Sequence, residues 1–421
     1  MEPKIRFKGF EGEWKETKYS SFATIRRGLT YSPENIVSKG IRVLRSSNID
    51  EDVFLRSEED VFVHSSCINI PFAKDGDILI TAANGSPRLV GKHAVINKLN
   101  GDKVVPGGFM ILASSKEPYF LNSCMGAPWY KTFLKTGVAG GNGAIGNLNK
   151  HALEEYEFYT PSNKLERDGL ASYFTSLDSQ ISAVTSRLAS LKQMKAASLQ
   201  AMFPQEGETV PKIRFKGFEG EWKKVMFSET FEFLKNNSLS RAELSNEGDI
   251  VNVHYGDVLI KYGDLLNIQN EELTFIADNK IGNTLYNSCH LQNGDIIIAD
   301  AAEDNTVGKC SEIVNICNKR VVSGLHTIPC RPLNRFAQGY LGHYINSESY
   351  HNQLLPLIQG SKISSISKKT LSQTIVLVPS IEEQKCIGNY FTSLDRQISL
   401  QSQRLEKLKQ IKSACLDKMF V

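Results

Sequence analysis

The sequence predicts an α+β protein: two globular domains with mixed sheets, separated by two long antiparallel helices forming a coiled coil, in an internal pseudo-two-fold repeat. Three observations predict it. Residues 3–15, PKIRFKGFEGEWK, recur without a change at 211–223. YFTSLDSQIS at 173–182 returns as YFTSLDRQIS at 390–399. From within each second match, positions step by 4, 3, 4, 3 along a mostly apolar stripe. The first pair is offset by 208 (211 − 3) and the second by 217 (390 − 173), so the copies differ by a net nine residues. Repetition on this scale outranks any local reading of the chain.

The elements follow in order. The first globular domain is expected over 1–161. Its β-branched runs are IRVLRSSNI (41–49), DILITAA (77–83), HAVI (93–96) and VVPGGFMIL (104–112), with a helix near 118–134. A helix is expected over 162–203, with Leu177, Ile181, Val184, Leu188 and Leu191 at the a/d spacing of a coiled-coil seam. Residues 204–210 are a polar connector opened by Pro204 and closed by Pro211. The second domain, 211–379, carries DVLI (257–260), DIIIADAA (295–302), EIVNI (312–316) and RVVSGLHTI (320–328), with a helix near 334–355. The last helix, 380–421, steps through Leu394, Ile398, Gln401, Leu405 and Leu408. Gln401 makes that seam polar where Val184 makes the first apolar. Each helix of about 40 residues is about 60 Å long at 1.5 Å per residue. A stripe of that length outruns a small domain, so the two helices are expected to pack on each other.

The ends of the two copies agree and the middles do not. Residues 16–160 and 224–378 share little beyond a skeleton: Gly76-Asp77 with Gly294-Asp295, Val90-Gly91-Lys92 with Val307-Gly308-Lys309, and Val104-Val105 with Val321-Val322. One scaffold carrying two different surfaces accounts for this. A net charge of +3 permits a polyanionic partner without demanding one. The eight cysteines form no CxxC pair and sit at unmatched positions in the two copies. A duplicated disulfide framework would match, so free thiols and a reducing, cytoplasmic location are expected. The N-terminal stretch is charged and no run of 18 apolar residues exists, so no membrane span is expected.

Catalytic motifs fail on spacing. Gly141-Asn-Gly143-Ala-Ile-Gly146 matches GxGxxG, but no strand precedes it. Residues 85–92, GSPRLVGK, place five residues between the glycines, and His93 stands where a P-loop needs Ser or Thr. Asn69-Ile-Pro71-Phe72 lacks the second proline of an NPPF motif. The eight histidines form no HxxxH or HExxH pair, so no metal site and no catalytic residue is expected.

Recognition remains. Arg, Lys, Asn, Ser and His hold phosphates and read base edges, and they gather in the polar loops between strands. The first domain offers Arg26, Arg27, Arg45, Ser46, Ser47, Asn48, Asn84, Arg88 and Lys92. The second offers Lys235, Asn236, Asn237, Lys261, Tyr262, Asn305, Lys309, His326 and Lys362.

Two variable domains, each followed by a long helix in a duplicated chain, resemble the specificity (S) subunit of a type I restriction–modification system. The motifs agree. That family shows a glycine loop, an Ile-x-x-Leu/Ile turn and a Pro-x-x-x-Glu-Gln-x-x-Ile helix start near the end of each unit. The second copy has Gly360-Ser-Lys-Ile-Ser-Ser-Ile366, Leu371, and Pro379-Ser-Ile-Glu-Glu383-Gln384-Lys-Cys-Ile387. The first has Gly143-Ala-Ile-Gly-Asn-Leu148 and Pro161-Ser-Asn-Lys-Leu-Glu166, then departs, with Arg167 standing where Glu-Gln is usual. Residues 203–222 are similar to the central joint of such subunits.

The resemblance implies a chain with no catalysis and no cofactor of its own. Each domain would be a target recognition domain reading half of a split double-stranded DNA site. The helices would fix the gap and dock two methyltransferase (M) subunits, which bind S-adenosylmethionine and modify adenine. Restriction (R) subunits using ATP and Mg2+ would join them. A helical turn of about 5.4 Å corresponds to about 1.6 base pairs at 3.4 Å each. The alternatives are a stand-alone DNA methyltransferase or nuclease, which needs a motif not found, and a duplicated adaptor that binds no DNA.

Overall fold

The computed structural model describes residues 1–139, 146–269, 272–360 and 363–421, and the chain divides into two units. Residues 1–187 with 401–421 form the first, and 188–400 the second. The long helices run over Lys164–Met202 and Ile381–Met419, 39 residues each. Each contributes to both units. Asn163 caps the first helix, its Oδ1 accepting the Leu165 N–H at 2.9 Å, and Ser380 caps the second by accepting from Glu383 N at 3.3 Å. Pro204, which cannot continue a helix, follows the first.

The first unit is built on β1 (Ala23–Arg27), β2 (Ile41–Leu44), β3 (Val61–Val63), β4 (Asp77–Thr81), β5 (His93–Val95), β6 (Val104–Pro106) and β7 (Met110–Ser115). An antiparallel sheet runs β5-β4-β7-β1, with Met110 opposite Thr81 and Ile111 opposite Arg27. A second sheet holds β2 and β6 as a parallel pair, Val104 opposite Arg42. The second unit repeats the plan with β8 (Phe231–Phe233), β9 (Ile250–Val253), β10 (Leu265–Asn267), β11 (Ile296–Ala299), β12 (Cys310–Val314), β13 (Arg320–Ser323) and β14 (Thr327–Pro332). Its sheet runs β8-β14-β11-β12-β10, and β9 pairs in parallel with β13. The sheets are therefore mixed, as expected.

The repeated Gly-Asp turns are structural. Gly76 and Gly294 take φ of 89° and 88°, a region open to glycine. Asp77 and Asp295 are each 1% exposed. Asp77 accepts from Lys74 N and Ser114 Oγ, and Asp295 from Gln292 N and Arg331. The expected helix near 118–134 is two, Pro118–Met125 and Pro128–Gly137, broken at Gly126-Ala127 ahead of Pro128. That near 334–355 is also broken, into Tyr340–Asn346 and Glu348–His351.

Within each unit the helices run antiparallel. In the first, Tyr173 Oη lies 3.2 Å from Cys415 Sγ and Asp178 takes Lys412, so one helix ascends as the other descends. In the second, Ser198 Oγ lies 2.9 Å from Tyr390 Oη and Lys195 takes Asp395. Leu177, Ile181, Val184, Leu191 and Leu394 are buried, and Leu188, Ile398, Leu405 and Leu408 half-buried. Leu177 and Leu408 join the first unit's core, and Leu191, Leu394 and Ile398 the second's.

The identical peptide is a strap over each helix base. Arg6 grips Glu166 at 2.7 and 2.9 Å, and Arg214 grips Glu383 at 2.6 and 2.7 Å. Both carboxylates are 1% exposed. The Arg6 Nη1 also donates to Gly12 O, and the Arg214 Nη1 to Gly220 O, each at 2.6 Å. Trp14 meets Phe420 edge-on, and Trp222 meets Phe203. This corrects the helix-start comparison. The first copy has one extra residue after Pro161-Ser162, so Glu166 takes the place of Glu383 and Arg167 that of Gln384. Arg167 bonds Glu117 and the Pro161 carbonyl, while Gln384 bonds Ala337 N and the Pro379 carbonyl.

Among the described residues no helix is long and apolar enough to cross a membrane.

Candidate nucleic-acid interface

In both units the same turn stands exposed on a rigid base. In the first it is Gly107-Gly108-Phe109, joining β6 to β7. Gly107 N donates to Leu44 O at 2.8 Å, and Ala82 N and Ala83 N both donate to Phe109 O at 2.8 and 3.0 Å. The backbone is fixed, yet the Phe109 side chain is left outside, the residue being 66% exposed. The base is packed to the limit: a Cβ on Gly28 would stand 1.9 Å from Gly107 O.

The second unit holds Gly324-Leu325-His326 there. Gly324 N donates to Val253 O at 2.9 Å, and Asp300 N to His326 O at 3.0 Å, the same two anchors. His326 sits at φ 54°, exposed, with its Nδ1 3.1 Å from Asp300 Oδ1 and its ring edge-on to Tyr255 at 5.2 Å. Burial pushes the Asp300 carboxyl up, against the opposing pull of His326.

Around the first turn lies a cleft of about 530 Å3, lined in part by Tyr31, Ile36, Arg45, Asn84 and Phe109. A buried network sets its rim. Asn48 accepts from Arg45 N at 2.7 Å and donates to Leu55 O and Asp60 Oδ1. Asp60 in turn pairs with Arg42. This holds the 45–48 turn so that Arg45 and Ser47 stay exposed. Asn84 donates to Ser46 Oγ at 3.3 Å. In the second unit His254 and Tyr255 follow β9 as Arg45 and Ser46 follow β2. The Arg241–Asp257 pair, 2.9 Å at both contacts, braces that turn. Burial, then Arg241, hold the His254 imidazole below its ordinary pKa.

The candidate residues divide. Arg27, Arg45, Ser47, Arg88, Lys235, Asn236, Lys261, Asn305 and His326 are exposed, and Ser46, Asn84 and Lys92 half-exposed. Five are engaged within the fold. Arg26 donates to the carbonyls of Pro71 and Phe72 and lies 3.8 Å from the buried Asp77. Asn48 is 1% exposed and spent on its turn. Asn237, 8% exposed, donates to Asn252 Oδ1 and Ser323 O. Tyr262 is 2% exposed in a hydrophobic core. Lys309 donates to the carbonyls of Leu259 and Tyr262, and burial lowers its pKa. Polar residue types next to turns are as often the turn's own fasteners as its reading surface. Lys362 and most of the 141–146 glycine loop lie outside the described residues.

Sequence reasoning missed Phe109, His254, Tyr255 and Asp300. The signal for Phe109 was available. Residues 104–109, VVPGGF, align at the offset of 217 with 321–326, VVSGLH, which sets Phe109 on His326.

One group has metal-ligand proximity among the described residues: Asp264, His343 and Asp395. Lys195 already supplies the cation, 2.6 Å from Asp264 Oδ2 and paired with Asp395.

Residues 219–410 match the family model of the type I restriction modification DNA specificity domain. Over 153 residues the chain is 27% identical to the type I restriction enzyme StySPI specificity subunit of Salmonella potsdam. That match covers 34% of this chain and spans only 31% of the relative. The crystal structure of a type I restriction–modification S subunit from M. genitalium is 15% identical, covers 100% of this chain and 99% of its own, and has a TM-score of 0.60. The HsdS subunit from Thermoanaerobacter tengcongensis is also 15% identical, with 97% of each chain covered and a TM-score of 0.40. The first likeness shows a shared fold. The specificity-domain model thus matches the second half of the chain, and the same strand plan is repeated in the first.

Proposed function

We propose that this chain is the DNA sequence-specificity subunit of a type I restriction–modification complex and has no catalytic step of its own. Each unit reads one half of a bipartite double-stranded site. The helices set the gap between halves and dock two methyltransferase subunits, and restriction subunits complete the assembly. S-adenosylmethionine, ATP and Mg2+ belong to those partners.

One observation carries the reading. The same turn, on the same backbone anchors, presents Phe109 in one unit and His326 in the other. A fixed scaffold with exchanged tips is what two unlike half-sites require. The exposed Arg45 and Arg88 in one unit, and Lys235 and Lys261 in the other, suit phosphate contacts that position the reader. A net charge of +3 fits a chain that shares the DNA with partners.

Methylome sequencing of the host with and without this gene tests it. The expected result is loss of one split adenine-methylation motif. Methyl transfer by the chain alone, or an unchanged methylome, overturns the reading.

A further inference from the structure

We infer that the residue at the turn tip sets base preference in its own half-site: Phe109 by apolar contact with the 5-methyl group of a thymine, and His326 by accepting a hydrogen bond from the exocyclic amino group of an adenine or cytosine. The inference rests on the proposed DNA-reading function and names the chemistry each tip recognises.

Phe109 has no structural duty in its side chain. It is 66% exposed, while its carbonyl is held by two amides from the 82–83 segment. The neighbouring Met110 and Ile111 are 1% and 3% exposed, so the strand is sunk in the core up to the tip. A large apolar ring projected from a fixed backbone loses little entropy on contact, which is what a pre-organised reader needs. Among base edges in the major groove, the one apolar feature is the thymine methyl.

His326 has the same backbone anchor and a different head. Asp300 beside its Nδ1 can only accept while it is a carboxylate, so Nδ1 carries the proton. In the neutral ring that leaves Nε2 with a lone pair. The acceptor seeks a donor, and adenine N6 and cytosine N4 are the major-groove donors. Asp300 and Tyr255 fix the ring from two sides.

The test uses the full chain in complex with its own methyltransferase subunits, on duplexes bearing the methylome-defined motif. Each thymine in the half-site read by residues 1–161 is replaced in turn by deoxyuridine, which lacks only the methyl. The wild-type complex should lose about 4-fold in affinity at one position, the worth of about one buried methyl. Phe109→Ala should bind both duplexes alike. His326→Phe should change the motif at one position of the other half-site and leave the first half unchanged. Two results overturn the inference while leaving the DNA-reading function intact: a defined motif with no deoxyuridine effect anywhere, or a deoxyuridine effect that persists in Phe109→Ala. If the wild-type complex shows no DNA preference, the function and the inference fall together.

Discussion

Lys412 Nζ lies 2.8 Å from Asp178 Oδ1, between the two helices of the first unit, and 2.9 Å from Asp52 Oδ2. Lys195 repeats the arrangement in the second unit with Asp395 and Asp264. Lys195 and Asp178 sit 217 residues before Lys412 and Asp395, so both units close with the same fastener: a helix lysine, an aspartate of the facing helix, and an aspartate from the globule. Burial alone would lower each ammonium pKa, but two carboxylates outweigh it, and both lysines are raised.

Removing the cation leaves two partly buried carboxylates facing each other. Lys412→Met should cost about 3 kcal/mol, the lower end for breaking a buried pair, because Asp52 keeps 35% of its side chain in water. Hydrogen exchange should speed up in residues 164–187 and 401–419, with the second unit's strands unchanged. Lys195→Met should do the reverse. Equal effects of either variant in both units would refute separate fasteners.

The two facing-helix aspartates are pushed in opposite directions. Burial raises Asp178, more than Lys412 lowers it. Burial would raise Asp395 too, but hydrogen bonding from His343 and the charge of Lys195 bring it below its ordinary 3.8. A raised carboxyl costs stability while ionised and is relieved as pH falls through its folded pKa. A lowered one gives stability above 3.8 that is lost as pH falls through the folded value. At pH 7, Asp395→Asn should destabilise by about 1 kcal/mol, discounted for partial exposure. Asp178→Asn should cost less. Denaturant midpoints at pH 7 check this, and a larger loss for Asp178→Asn would contradict it.

The repeat and the two long helices were legible because each rests on spacing alone. Leu177, Ile181, Val184 and Leu191 are buried as their heptad positions demand. The strand runs were legible for the same reason. The reading surface was less so. Asn48 and Asn237 have the right chemistry for DNA, but both are consumed by neighbouring backbone, and only three-dimensional neighbours reveal that. Phe109 was overlooked because an apolar residue in a strand-like run is ordinarily core. Its exposure follows from two glycines that end the strand just before it. The lysine fasteners were hidden too, since each joins segments far apart in the chain.

The seam residues should differ in weight. Leu191 is 1% exposed and Leu177 6%, whereas Leu188 and Leu405 are half-buried. Leu191→Ala should cost about 2–5 kcal/mol, the range for emptying a packed leucine site. Leu188→Ala should fall below that range, since its side chain already meets water. Urea midpoints of the single variants decide the order, and equal losses would mean that the stripe is packed uniformly.

The strap predicts an asymmetry between its two charges. Glu383 is 1% exposed and receives both Arg214 contacts, and Glu166 stands in the same relation to Arg6. Arg214→Ala strands a carboxylate that is 1% exposed. That should cost about 3–5 kcal/mol. Glu383→Gln keeps the shape and an acceptor and removes the buried charge, so it should cost clearly less. Pairing Arg214→Ala with Glu383→Gln should recover part of the loss, because the stranded charge is gone. Thermal unfolding of the three variants measures this. If the pair is no more stable than Arg214→Ala alone, the damage lies in the lost bonds to the Gly220 turn and not in the bare carboxylate.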